Sequence, residues 1–165
     1  MNVNLKQIET EIYSKCRLKI SGFQLEPESK EYDACRFDLN GRKIVSRSSK
    51  VTPKKAGQFV TFWKRNENGI IEPLNEMHSF DFYAINVRTE KEFGQFVFPK
   101  SVLVAKGIVS TENKEGKRGF RVYPIWDIAL NKQATQTQKW QLNYFYEINN
   151  ATDFTKVVEL YGNDA

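Results

Sequence analysis

The chain has 165 residues, 40% of them hydrophobic and 27% charged, with 12 Phe, 7 Tyr and 3 Trp. A length of this order suits one domain, residues 1–165, with enough bulky material for a core, which excludes a disordered chain and a scaffold that depends on metal or disulfide staples. The net charge is +5 at pH 7, and no stretch approaches the roughly 18 apolar residues of a membrane span.

The segment from Met1 to Glu9 alternates polar and apolar residues and lacks the continuous apolar run of a secretion signal. Cys16 and Cys35 are the only cysteines, and neither sits in a CxxC pair. The expectation is a cytoplasmic protein with reduced thiols.

Leu5, Ile8, Ile12 and Cys16 share one helical face, apart from Val3, Gln7 and Glu11, and predict a helix over 3–16. Gly22 marks a break, and 25–29 reads as a loop. A strand over 32–39 ends at Asn40-Gly41, a strong two-residue hairpin signal, and returns over 42–51. Residues 52–57 are a loop, because Pro53 removes a donor and Gly57 permits unusual dihedrals. Aromatic and β-branched residues predict a strand over 58–65, closed by a turn at 66–69. A hairpin follows, with strands over 80–87 and 93–98. A short helix over 101–106 stops at Gly107. After a polar turn at 113–116, a strand over 118–123 is halted by Pro124. A helix over 133–146 turns Ala134, Trp140, Leu142 and Phe145 inward, and a last helix over 153–161 is capped by Thr152 or Asp153. Gly57-Gln58-Phe59-Val60 recurs as Gly94-Gln95-Phe96-Val97, which reads as two strands starting alike, not as a solenoid. The pattern is α+β: one mixed or antiparallel sheet with flanking helices.

Several chemistries lack their marks. His78 is the only histidine and reads as a loop residue at the surface. There is no HExxH, no His/Cys cluster, no GxSxG, no GxxxxGK[ST] and no GxGxxG after a strand. No metal site is expected from the pattern.

What remains is charge. Between Arg42 and Arg65 lie eight basic residues and no Asp or Glu, so everything outside that segment sums to −3. A local excess of one sign makes a field that attracts ions of the other. Arg47, Lys50, Lys54, Lys55, Lys64 and Arg65 are the candidate anion-binding residues of this segment. Lys117, Arg118 and Arg121 form a second basic cluster, beside Phe120, Tyr123 and Trp126. Cations interleaved with aromatics suit a nucleic acid, whose phosphates supply affinity and whose bases stack. Solvated strand edges and turns account for the same residues more plainly. Trp63 reads as a core residue, since it shares a strand face with Phe59. In the predicted hairpin Asp81 falls opposite Pro99, one residue from Lys100. That pairing is either a cross-strand ion pair or a candidate catalytic pair.

Lys50-Val51-Thr52-Pro53-Lys54-Lys55, Gly57-Gln58-Phe59-Val60-Thr61 with Trp63-Lys64-Arg65, Gly94-Gln95-Phe96-Val97-Phe98-Pro99-Lys100, and Lys117-Arg118-Gly119 through Val122-Tyr123-Pro124 to Trp126-Asp127 resemble the MepB-like proteins of bacteria. Thr137-Gln138 and Trp140-Gln141 fit as well. The resemblance implies a three-layer arrangement with restriction-endonuclease-like topology and implies no particular reaction. Nucleases of that topology carry an Asp on one strand, and a carboxylate two residues before a Lys on the next. Asp81 and Lys100 match two of the three, and Phe98 stands where the second carboxylate belongs. The leading expectation is a non-enzymatic module that binds a polyanion such as nucleic acid through residues 42–65. A divergent phosphodiesterase using Asp81, Lys100 and Mg²⁺ is the first alternative, and a small-ligand or protein-interaction domain the second. The sequence does not specify an oligomeric state.

Overall fold

Strands β8 (Phe82–Arg88) and β9 (Phe93–Pro99) are almost continuously apolar, and every residue of the two except Arg88 is buried. Strands of that kind need cover on both faces. In the computed structural model, which describes residues 1–162, they lie in the middle of a six-stranded sheet. Its order is β1 (Ile20–Leu25), β2 (Cys35–Leu39), β3 (Arg42–Ser48), β8, β9 and β11 (Phe145–Glu147). Neighbours are antiparallel except β3 and β8, which run parallel from Ile44↔Phe82 to Ser48↔Asn86. This is an α+β fold with a mixed sheet and flanking helices.

Period-2 alternation splits the core in two. Phe37, Leu39, Ile44, Phe82, Ala84 and Val97 face helix α1 (Val3–Glu11) and helix α4 (Phe154–Gly162), which contribute Leu5, Ile8, Val157, Leu160 and Tyr161. Val45, Tyr83, Ile85, Phe96 and Phe98 face the other way. They pack on a second sheet, ordered β10 (Gly119–Val122), β5 (Gln58–Thr61), β4 (Lys50–Val51), through Val60, Phe120 and Val122. Leu103 of α2 (Lys100–Ala105) joins them, and helix α3 (Lys132–Gln141) lies outside with Trp140 against Phe98. Among the described residues, no helix is long and apolar enough to cross a membrane.

Several boundaries differ from the sequence reading. The first helix ends at Glu11 and continues only as a 3-10 turn, Tyr13–Cys16, which Arg17 closes in the left-handed region at φ 56°. Gly22 does not end a segment. It sits inside β1 at φ 60°, where the register slips between Ser21 and Gln24, as a glycine at a bulge does. Tyr32 lies in a 3-10 turn, Lys30–Tyr32, not in β2. The Asn40-Gly41 hairpin is present, with φ of 50° and 85° at its two central residues, as a primed turn requires. The returning strand stops at Ser48, and Lys50–Val51 leaves for the second sheet. The strand predicted over 58–65 is likewise two strands. β6 (Trp63–Arg65) pairs with β7 (Ile71–Pro73) around the expected turn. Gln58, Val60 and Phe62 are the buried positions of this stretch, so Trp63 is only half-buried and is not a core residue.

The largest correction concerns residues 142–147. Helix α3 ends at Gln141, and Phe145–Glu147 forms the edge strand β11 against β9. The pairing depends on Gly94, because a Cβ there would lie 2.5 Å from the Phe145 ring.

On the α1 and α4 side of the sheet, one side chain gathers the buried polar groups. The Gln95 Oε1 accepts the hydroxyls of Tyr146 and Tyr161 at 2.6 Å each, and its Nε2 donates to Asn86 Oδ1 at 2.9 Å. The Tyr13 and Tyr161 hydroxyls lie 2.6 Å apart. Cys16 and Cys35 are both free, and burial pushes the Cys35 thiol up to about 12.

Candidate functional site

The loop at 52–57 links β4 to β5, and two of its residues need the left-handed region: Lys54 at φ 63° and Gly57 at φ 75°. At Gly57 the reason is contact. A Cβ there would lie 2.8 Å from both the Tyr123 ring and the Val122 carbonyl oxygen, so glycine lets the loop close down on the end of β10. On the other side of β10, helix α3 starts at Asn131, whose Oδ1 accepts the Ala134 N–H at 2.8 Å. Two glutamines hold α3 against its neighbours. Gln141 donates to the Arg121 carbonyl at 2.9 Å and accepts the Tyr123 N–H at 2.8 Å. Gln138 donates to the carbonyls of Pro124 and Asp127, both at 2.9 Å. Burial raises the Asp127 pKa above its ordinary value, while the nearby Gly57 N–H opposes that shift.

These ties leave a groove along α3. A cleft of about 320 Å³ lies between β10 and α3, with Lys106, Lys117, Arg121, Tyr123 and Trp140 in its lining. A smaller cleft of about 210 Å³ adjoins it and shares Arg121, Tyr123, Asn131 and Ala134, adding Lys54, Lys55 and Leu130. A third, of about 440 Å³, adjoins the first at the far end, shares Lys106 and Trp140, and adds Lys139. The charged side chains lining the three are Lys54, Lys55, Lys106, Lys117, Arg121 and Lys139, with no carboxylate among them. Arg121 is the shared cation of the first two. Its Nη2 donates to Thr52 Oγ1, and its Nη1 is enclosed without a hydrogen-bond partner among the described residues.

Some of the residues picked from sequence thus converge: Lys54 and Lys55 of the first basic cluster meet Lys117 and Arg121 of the second. Others do not. Arg47 is no surface cation at all. It is wholly buried, donates to Ser29 Oγ, Thr61 Oγ1 and the Trp63 carbonyl at 3.0–3.1 Å, and lies 3.8 Å from Glu26. Its place in β3, where inward residues alternate, turns it into the space between the two sheets. Lys50 lies over the Tyr32 ring at 4.8 Å. Lys64 and Arg65 sit on the β6–β7 hairpin, where Arg65 donates to the Gly69 carbonyl at 2.8 Å. Arg118 pairs with Glu115 at 2.9 Å. Lys106 and Lys139 escaped the sequence reading. Each is isolated in sequence, and the one joint signal is spatial: Lys106 lies over the Trp140 ring at 5.1 Å.

Asp81 and Lys100 are neighbours in backbone only. The Asp81 carboxylate accepts the Lys43 N–H at 2.7 Å, and the Lys100 ammonium donates to the His78 carbonyl. Phe98 is buried in the core between the sheets, against Phe96 and Trp140. Among the described residues, no three His, Cys, Asp or Glu side chains gather as a metal would require. This donor set does not fit Mg²⁺, which takes oxygen ligands. His78 is half-buried, with Nδ1 accepting the Asn75 N–H at 3.0 Å, so it shapes its loop and is not a free surface group.

Comparison with known proteins adds family to geometry. A comparison with curated proteins finds no match. Among solved structures, the crystal structure of MepB is 38% identical and superposes with a TM-score of 0.79 over 91% of this chain and 99% of that one. The structure of a bacterial homing endonuclease, I-Ssp6803I, is 18% identical over 84% of this chain and 86% of that one, at a TM-score of 0.45. The model of the MepB-like family matches residues 26–147, which include the 52–57 loop, β10 and the whole lining of the groove. The chain belongs to the MepB-like family.

Proposed function

We propose that this protein is a binding module for a polyanion, most plainly the phosphate backbone of a nucleic acid, seated along the groove beside α3. One observation carries the reading: three adjoining clefts are lined by six cations and no carboxylate. Where burial is partial and one sign prevails, field lines focus on the groove and draw in ions of the opposite sign. Ammonium groups and a guanidinium are the partners that phosphate takes.

The groove is not the whole of residues 42–65. Arg47 is spent on internal hydrogen bonds, so the binding set is Lys54, Lys55, Lys106, Lys117, Arg121 and Lys139. Each phosphate neutralised releases counterions, and log K should fall linearly with log salt. The test is fluorescence anisotropy with short labelled DNA and RNA at low and near-physiological salt. Lys54→Glu with Lys55→Glu and Lys117→Glu should weaken binding to all sequences about equally, because phosphate contacts carry little base information. Lys6→Glu with Lys19→Glu and Lys91→Glu changes the net charge as much from exposed positions outside the groove, and should matter far less. Equal loss in both variants, or no binding at low salt, would overturn the reading.

A further inference from the structure

Between β10 and α3 the chain exposes three aliphatic side chains within six residues: Ile125 is 56% exposed, Ile128 80% and Leu130 75%. Apolar residues scattered singly over a surface are ordinary, whereas a cluster on ordered backbone points to contact with another molecule. Ile125 and Ile128 line none of the three clefts, so this ledge stands outside the groove. Its backbone is fixed. The Gln138 amide donates to the carbonyls of Pro124 and Asp127, and the Asp127 N–H also donates to the Pro124 carbonyl at 3.0 Å. Asn131 caps α3 immediately after Leu130. Leu130 is the inner end of the ledge, and it shares a cleft of about 210 Å³ with Lys54, Lys55 and Arg121.

Independently of the polyanion reading, we propose that the ledge docks an acidic, aliphatic segment of a partner protein. Its apolar side chains lie on Ile125, Ile128 and Leu130, and its carboxylates on Lys54 and Lys55. Several observations select this occupant. The ledge is wholly aliphatic, whereas bases stack on aromatic rings. Aliphatic side chains pack against such a surface without a fixed orientation. The adjoining cleft is lined by three cations and no carboxylate, which suits acidic side chains and repels basic ones. Those cations line a recess, so a flat lipid surface resting on the ledge does not reach them, and a carboxylate on a flexible segment does. At about 210 Å³ the recess is also smaller than the roughly 300 Å³ at which small-molecule pockets begin.

The experiment is fluorescence anisotropy at low salt with a labelled peptide of about ten residues, enough to span about 33 Å when extended. In it leucines are interspersed among aspartates and serines. It should bind the unaltered protein at least about tenfold more tightly than an analogue with serine for every leucine, the loss expected when one aliphatic side chain forfeits its burial. An analogue with serine for every aspartate should weaken similarly and lose its dependence on salt. Ile128→Ser with Leu130→Ser should lower the affinity for the first peptide as much as removing its leucines does. It should cost the leucine-free analogue nothing further, because the two changes delete one contact. Both residues are exposed, so the double variant should melt with the parent protein, and the analogues test the same contact on the unaltered chain. Leu130→Met, which keeps the apolar area, should keep the affinity. A peptide that does not bind, or that binds the double variant as tightly as the parent protein, overturns the proposal. So does a dependence on Ile128 and Leu130 that appears with phosphatidylglycerol vesicles or a short DNA strand and not with the peptide. The variants of Lys54, Lys55 and Lys117 measured against DNA decide the polyanion reading separately, so the two stand or fall apart.

Discussion

Asp81 and Lys100 meet across the end of the β8–β9 ladder through their backbones: the Lys100 N–H donates to the Asp81 carbonyl at 3.0 Å while the two side chains go elsewhere. The Asp81 carboxylate instead receives the Lys43 N–H, and the Asp81 N–H donates to the Lys43 carbonyl at 2.8 Å, which pins the start of β3 to the start of β8. Asp81→Ala should then cost about 0.5–1.5 kcal/mol, the net worth of one hydrogen bond. Asp81→Asn, which keeps an acceptor oxygen, should recover most of it. Urea denaturation of the two variants checks this, and an unchanged midpoint in Asp81→Ala would contradict a tethering part for this carboxylate.

Arg47 should be among the most sensitive positions of the chain. Removing it by Arg47→Ala takes from Glu26 its buried partner, leaving only the more exposed Arg36, and strips donors from Ser29, Thr61 and the Trp63 carbonyl. Losses of this kind run to about 3–5 kcal/mol. Lys54→Ala and Lys55→Ala, at exposed positions, should leave the denaturation midpoint in place. Equal effects at Arg47 and Lys54 would contradict the division into one buried structural cation and several exposed ones.

The tyrosine cluster makes an alkaline prediction. Burial pushes the hydroxyls of Tyr13, Tyr83, Tyr146 and Tyr161 far above their ordinary pKa of 10.0. A raised pKa in the folded state means stability that is whole below the ordinary value and is lost as pH climbs beyond it. Ultraviolet titration should therefore show these four ionising only as the fold opens. Tyr161→Phe takes a hydroxyl from Gln95 and Tyr13, and should cost about 1–3 kcal/mol.

His78 should behave in the opposite sense. Burial first, and Lys64 next, lower its pKa below 6.5. A depressed pKa means stability that is complete above the ordinary value and is lost as pH falls through the folded one. Its neutral Nδ1 accepts the Asn75 N–H, so protonation should break that bond and loosen the loop that presents the His78 carbonyl to Lys100. An NMR titration of the single histidine should give a midpoint below 6.5, and His78→Ala should flatten any mildly acidic loss of stability. A midpoint above that value would contradict the burial argument.

Local signals carried much of the architecture. Asn40-Gly41 announced its turn, and the apolar runs of β8 and β9 announced two buried strands. The strand exchanges were illegible because continuity of pattern conceals them. Residues 42–51 and 58–65 each read as one strand, yet each divides between two sheets at a single residue, Ser49 and Phe62. The run at 142–147 satisfies a helical spacing, and only the space over Gly94, 51 residues away from Phe145, makes it a strand. The cationic groove was half visible. Clustered Lys54 and Lys55 stood out, whereas Lys106 and Lys139 have no charged run around them. Charge density likewise misplaced Arg47, because one-dimensional counting cannot see which face of β3 it occupies.

The parallel pairing of β3 with β8 has a kinetic consequence. Its two strands cannot meet until residues 49–81 have been looped out, and that loop contains the second sheet's first two strands and most of the basic segment. Closing it costs chain entropy before any contact repays it. The outer hairpin β2–β3 and the hairpin β8–β9 are local and can form early. Docking of the two hairpins is then the slow event in refolding, and it is also the event that brings the basic loop at 52–57 into register with β10, which arrives from still further along the chain. The cationic groove is accordingly among the last features of the molecule to exist, so a chain halted before that docking would carry its positive charge on an unstructured segment.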